Sequence, residues 1–249
     1  MNEKDLKPSW RQRLVFALVA VALVGSSIVA YVLIVMGNGT IDYSKMTLSQ
    51  LETAYSEKTA ELEAEATSLS EKYFEDFKSY KKNVKAYNST TANSGGVLST
   101  DLKEGDGEEV TTSNYAAYYI GWCHDEEIFD SSFDNFDEPT ALKAPIIVSP
   151  NSLIEGWYAG VSGMKLGGVR EITVPGSLAY GDTYEICGAK NSPLKFIIMA
   201  VEKSENLEKI NSALNDIYTA LSSAYAASYS NYNDSSAYEY DDTGETSGE

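Results

Sequence analysis

Histidine is nearly absent from this chain and cysteine is scarce. His124 stands alone, and Cys123 and Cys187 are the only thiols. Two cysteines are too few for a disulfide-rich scaffold or a cysteine-based zinc site. The lone His124, beside acidic residues at a strand–loop junction, reads as a surface residue and leaves little room for histidine catalysis or metal binding. Positive charge is the third deficit: 19 Lys and Arg stand against 37 Asp and Glu, a formal net charge of −18. A phosphate-binding surface needs clustered Lys and Arg, so nucleic acid is excluded as a partner. The acidic balance instead keeps an exposed protein soluble. Also missing is any alternation of strand and helix patterns, which argues against a parallel sheet with crossover helices.

What is present starts with a segment that has no charge at all. Residues 1–13 are polar and carry Lys4, Lys7, Arg11 and Arg13; Leu14 to Met36 follows without a charged residue. As a helix that run is long enough to cross a hydrocarbon core of about 30 Å. The basic flank predicts a cytoplasmic N-terminus and places everything after Gly37 outside. A cleaved signal peptide is the competing reading, but its apolar core is ordinarily shorter, and Ile34-Val35-Met36 is a poor cleavage context. A single-pass anchor with an extracytoplasmic domain, of a style that suggests a bacterial cell membrane, is therefore expected.

From Thr47 to about Tyr87 the apolar residues Leu48, Leu51, Tyr55, Leu62, Ala66, Leu69, Tyr73, Phe77 and Tyr80 mostly recur at helical steps. Thr47 and Gln50 offer a Gln-type capping box at the start. Asn88 to Gly96 reads as a flexible linker. A second stripe, Leu207, Ile210, Leu214, Ile217, Leu221 and Ala224, marks another amphipathic helix over 204–227. Its partner could be the first helix, a second copy of the chain in a homodimer, or a client. Residues 228–249 form an acidic tail with almost no aliphatic side chain, expected to be disordered.

Between these helices the chain reads as mostly β. Val110, Tyr115–Trp122, Ile128–Phe129, Ile146–Val148, Val169–Val174 and Leu194–Val201 are strand candidates rich in β-branched and aromatic residues. Ile154 to Val161 reads as one short helix ended by Gly163. The class is therefore α+β with an antiparallel sheet.

An ordered set of short pieces runs through this stretch: Tyr119-Ile120-Gly121 with Phe129-Asp130-Ser131-Ser132, then Leu153-Ile154-Glu155-Gly156-Trp157, then Gly163-Met164-Lys165-Leu166-Gly167-Gly168, then Val174-Pro175 with Leu178-Ala179-Tyr180-Gly181, and finally Leu194-Lys195-Phe196-Ile197-Ile198. Each is weak alone, but in this order and spacing they resemble the FKBP-type peptidyl-prolyl isomerase domain from about Ser99 to Lys203, bracketed here as 96–203. The resemblance implies a twisted antiparallel sheet wrapped around one short helix. It also implies a proline pocket with Trp157 as floor, Tyr119, Phe129 and Phe196 as walls, and Leu153 and Ile154 at the rim. Tyr180 would offer its hydroxyl and Ile154 its backbone N–H to substrate carbonyls, while Asp130 would orient the pocket edge.

Two departures from the family pattern stand out. The stretch Asp134 to Pro150 is longer than in compact members, and Ile146 or Ile147 stands where an aromatic is often found. The loop Asp182 to Ser192, which overhangs the pocket in the family, carries Tyr184, Ile186 and Cys187 instead of a proline-rich run. Ile186 and Cys187 are thereby candidate substrate contacts, and Cys123 and Cys187 are candidates for one disulfide tethering the loop, with two separate thiols as the alternative. No cofactor or metal is implied, since rotation about an amide needs none. The implied partners are proline-containing polypeptides and an FK506-like ligand. The functions in view are a membrane-anchored isomerase for exported proteins and, as the alternative, a chaperone or binding module that uses the flanking helices.

Overall fold

The computed structural model describes residues 41–234. The basic segment 1–13, the anchor expected at 14–36 and residues 235–249 of the tail lie outside them. Among the described residues no helix is long and apolar enough to cross a membrane. The described residues form two compact units, one from 41–60 with 212–234 and one from 61–211.

The larger unit is built on one antiparallel sheet. β2 (Tyr115–Trp122) and β6 (Leu194–Glu202) pair from Tyr115 opposite Glu202 to Trp122 opposite Lys195. β5 (Val169–Val174) takes the other edge of β6, and β1 (Leu98–Lys103) the outer edge of β5. β3 (Ile128–Ser131) and the two-residue β4 (Ile146–Ile147) pair with β2. The order is β1-β5-β6-β2-β3.

Both faces of this sheet are apolar, and the two-residue period of a strand decides which side chain goes where. Tyr115 and Ala117 of β2 share one core with Phe196, Ile198 and Ala200 of β6. Across that face lies the short helix α3 (Glu155–Val161), contributing Trp157 and Val161. The intervening residues Ala116, Tyr118, Ile120 and Trp122, with Ile197, Met199 and Val201, form a second core. Phe77 and the half-buried Tyr73 and Phe74 cover it; all three belong to α1 (Leu48–Lys78). Phe77 stacks on Phe133 at 5.5 Å between centroids. This is the α+β arrangement expected from the sequence.

Several boundaries differ from expectation. α1 stops at Lys78, passes into a short 3-10 turn over Ser79–Asn83, and the chain is extended at Val84, so the helical reading through Tyr87 is corrected. The cause is tertiary. Trp122 donates its indole N–H to the Lys85 carbonyl (3.0 Å), and the Tyr87 hydroxyl donates to the Pro193 carbonyl (2.8 Å), which lays this segment along the sheet. The expected linker 88–96 contains a helix, α2 (Ser89–Asn93), capped by Asn88, whose Oδ1 accepts from Thr91 N–H at 2.8 Å. Asn93 then accepts from Gly176 N–H (2.7 Å) and donates to the Asn191 carbonyl (2.9 Å). Val110 is not in a strand but is buried, its N–H bonded to the Met164 carbonyl. β1 was not foreseen; nearly all its side chains are exposed, so no apolar alternation marks it.

In the smaller unit Thr47 and Gln50 make the expected box: Thr47 N–H donates to Gln50 Oε1 (2.9 Å) and Gln50 N–H to Thr47 Oγ1 (3.4 Å). Leu51, Tyr43 and Ile217 bury one another, flanked by Ala54, Ala220 and Leu221. The Tyr225 hydroxyl donates to Glu52 (2.8 Å). Here the second stripe has the first helix as its partner. The helix that carries this stripe, α4 (Glu205–Asp234), runs past 227 into the expected disordered tail. No Gly or Pro interrupts the chain there, and helix propagation continues where no breaker stops it.

Because Phe77 is fully buried against the sheet, Phe77→Ala is expected to lower stability by about 3–5 kcal/mol. Urea unfolding of the full chain followed by circular dichroism checks this. An unchanged midpoint would mean that α1 is dispensable to the sheet.

Candidate functional site

The first face of the sheet carries an aromatic cluster at the end where β2, β3 and β6 meet α3. β2 places Tyr119, β3 places Phe129 and Asp130, β6 places Phe196, and α3 places Trp157. Trp157 meets Phe196 at 5.5 Å and Tyr119 at 5.7 Å, both edge-on, and Phe129 meets Phe196 edge-on at 5.6 Å. Such contacts are favoured by the ring quadrupoles. Trp157 is 2 % exposed and gives its indole N–H to the Tyr115 hydroxyl at 2.9 Å, so its one polar atom is already satisfied.

The close approach of Phe129 and Phe196 depends on Gly121. In the ladder Gly121 lies opposite both Asp130 and Phe196. A Cβ there would sit 2.5 Å from Phe129 and 3.1 Å from Phe196, so a side chain at this position would drive the rings apart.

Polar groups ring the apolar floor. The Tyr119 hydroxyl donates to Asp130, and the Tyr119 N–H donates to Ser132 Oγ at 2.8 Å. Burial, and next the bond to Asp130, push the Tyr119 phenol well above its ordinary pKa. Tyr180 follows a 3-10 turn over Gly176–Leu178 and is 38 % exposed. Burial and then the Asp130 carboxylate raise its pKa as well. Both phenols therefore remain protonated donors through the neutral range. Ile154 is the cap of α3 with no side-chain capping bond, and among the described residues nothing accepts from its N–H. An unpartnered donor thus stands beside the apolar cluster that Ile154 and Leu153 pack against.

Ile186 and Cys187 of the loop 182–192 are half-buried against the same cluster. Cys187 is bonded to Cys123 with Sγ–Sγ 1.99 Å, so it meets the cluster as half of a disulfide. Of the two isoleucines proposed to replace the missing aromatic, Ile146 is the one packed on this face, opposite Ala117 in the register. The structure thus packs Tyr119, Phe129, Leu153, Ile154, Trp157, Ile186, Cys187 and Phe196 into one core, with Asp130 bonded to Tyr119 and its charge felt by Tyr180. Sequence reasoning did not single out Tyr115, Ser132 or Tyr158. They act through hydroxyls on neighbouring residues, which no local pattern announces.

Among the described residues one cluster has metal-ligand spacing, Cys123, Asp125 and Glu127. The Cys123 sulfur is bonded to Cys187, which leaves two exposed carboxylates and no thiolate. The lone His124 is exposed in the same turn.

Comparison with known proteins gives consistent matches. The family described as FKBP-type peptidyl-prolyl cis-trans isomerase matches residues 106–201. An FK506-binding protein of Neisseria meningitidis serogroup B is 38% identical over 88 residues, 35% of this chain and 76% of that protein. An FK506-binding protein of Streptomyces anulatus is 37% identical over 84 residues, 33% of this chain and 64% of that protein. Among solved structures, the crystal structure of AtFKBP13 matches with TM-score 0.35 and 28% identity, covering 43% of this chain and 93% of that one.

The disulfide spans 64 residues of sequence. By loop-closure entropy its reduction is expected to lower stability by about 4 kcal/mol. Urea midpoints measured with and without dithiothreitol check the figure. Equal midpoints would show that the bond contributes nothing to stability.

Proposed function

Because the chain belongs to the FKBP-type peptidyl-prolyl cis-trans isomerase family, we propose that the aromatic cluster around Trp157 is its catalytic pocket for X-Pro peptide bonds in exported proteins. The observation that carries this reading is the joint placement of Trp157, Tyr119, Phe129 and Phe196 around an apolar floor, with Tyr180, Asp130 and the Ile154 N–H at its rim.

The chemistry asks for little else. The peptide bond before proline owes its rotational barrier of about 18–20 kcal/mol to amide resonance. A twisted amide has lost that resonance and carries less charge on its oxygen. It therefore loses less than either planar form on leaving water for a dry aromatic site. A pocket that prefers the twisted form lowers the barrier with no nucleophile, metal or proton transfer. Trp157 supports the proline ring from below, while Tyr119, Phe129 and Phe196 enclose it. The Tyr180 hydroxyl and the Ile154 N–H each donate to a backbone carbonyl and hold the ends of the peptide while the bond between them turns. Asp130, which accepts from Tyr119, sets the pocket edge against the substrate amide. Leu153, Ile186 and the Cys187 half of the disulfide contact flanking residues, and an FK506-like ligand occupies the same space.

Placement of this domain on the outer face of a membrane, held by 14–36, rests on the uncharged run in the sequence. The Cys123–Cys187 bond supports it, since disulfides persist in oxidising compartments. The reading of the flanking helices as a client-holding module has less behind it: Leu51 and Ile217, from the two stripes, are already buried.

Proline-limited refolding of a model substrate by the full chain tests the isomerase. The wild type is expected to accelerate the slow phase. Asp130→Ala and Tyr180→Phe should each lower kcat/KM by about tenfold, the scale of one or two lost hydrogen bonds. No acceleration by correctly folded protein would overturn the assignment.

A further inference from the structure

The Ile154 N–H can serve as a donor only if the chain before it is held still, and the structure shows one side chain tying that chain to the helix. Ser149 to Leu153 makes a tight turn in which Asn151 takes a positive φ of 60°. Within the turn, Ser152 Oγ donates to the Ser149 carbonyl (2.7 Å) and Ser149 N–H donates to Ser152 Oγ (3.2 Å). These bonds shape the turn without linking it to α3. The link is Tyr158, in the first turn of α3. Its hydroxyl accepts from Ser152 N–H (3.0 Å) and Leu153 N–H (3.1 Å) and donates to the Ser149 carbonyl (2.6 Å). One donor and two acceptor sites are all that a phenol has, and all are used.

The location follows from helix geometry. Side chains on a helix lean toward its N-terminus. Trp157 is buried in the core, and its neighbour Tyr158 reaches back over the residues that precede the helix. The Tyr158 ring packs half-buried against the same core. α3 has only seven residues and no side-chain cap at Ile154, whose carbonyl accepts from Trp157 N–H at 3.0 Å.

We propose that Tyr158 is a positioning residue for the isomerase: its hydroxyl clamps the Ser149–Leu153 turn onto α3 and so holds the Ile154 N–H where a substrate carbonyl reaches it. This rests on the reading of Ile154 as a substrate donor. The Ile154 N–H grips an end of the peptide that does not change as the X-Pro bond twists, so it acts equally on planar and twisted substrate. Loss of its alignment therefore weakens binding and leaves the turnover of bound substrate unchanged.

Tyr158→Phe in the full chain removes the clamp and keeps the ring. The expected result is a KM raised about fivefold, as for loss of one aligned hydrogen bond, with kcat within about twofold of wild type. Amide hydrogen exchange at Leu153 is expected to speed up, while exchange in β2 and β6 stays as it was; Ser152 N–H keeps a second acceptor in the Ser149 carbonyl (3.2 Å). A merely structural role would move kcat in proportion to the folded fraction, read by circular dichroism, and leave KM alone; that result overturns the proposal. So does an active wild type whose Tyr158→Phe variant has an unchanged KM. An inactive wild type overturns the isomerase reading itself, and the positioning role with it.

Discussion

The register of β2 against β6 is the constraint on which the other features depend. Tyr115 faces Glu202 and Trp122 faces Lys195, with every residue between them paired. A slip of one residue would exchange the two faces of β2. Tyr119 would leave the face that carries Trp157, and Tyr118 and Trp122 would leave the face that Phe77 covers. The same register sets Gly121 opposite Phe196, where the missing Cβ leaves room for Phe129 to close on Phe196. Burial on both sides of the strand enforces it: seven of the eight residues of β2 are buried, and Tyr119, the half-buried exception, is the one whose hydroxyl reaches Asp130.

The aromatic cluster around Trp157 combines packed rings with polar groups at its edge, and burial bears on both. Tyr119 and Tyr180 are pushed toward their protonated forms first by desolvation and then by the Asp130 carboxylate. Asp130 accepts from the Tyr119 hydroxyl and acts on Tyr180 through its charge. Only one atom of the floor, the Trp157 indole nitrogen, is polar, and Tyr115 has already taken its proton into a bond.

The central strands, the short helix and the Thr47 cap were legible because each obeys a local rule: a run of β-branched and aromatic residues, a short apolar stretch ended by Gly163, a hydroxyl with Gln three residues on. The residues of the aromatic cluster were legible only as an ordered set, since Trp157 or Phe196 alone looks like any core residue. β1 was illegible because an exposed edge strand such as Leu98–Lys103 has no buried face to leave a pattern. The segment 79–93 was misread as helix and then linker. Its conformation is set by Trp122, Pro193, Gly176 and Asn191, all distant in sequence. Tyr158 escaped notice for the same reason at shorter range: its partners are three backbone groups of a turn, and a tyrosine after a tryptophan says nothing of them. The run past 227 in α4 shows the opposite error, where composition suggested disorder and the absence of a breaker let the helix continue.

The bond between Cys123 and Cys187 makes a covalent ring of the chain between them. Phe129, Asp130, Leu153, Ile154, Trp157 and Tyr180 all lie inside that ring, while Tyr119 and Phe196 lie just outside it on the two strands that lead in and out. The ring also contains the mostly exposed stretch from Asp134 to Thr140. A protease that cuts there severs the backbone without dividing the molecule. The two pieces remain joined through sulfur at an effective concentration on the order of millimolar, as for any short tether, and keep each other's halves of the site within reach. A single cut in that stretch leaves one covalent particle, and does so only as long as the bond stays oxidised.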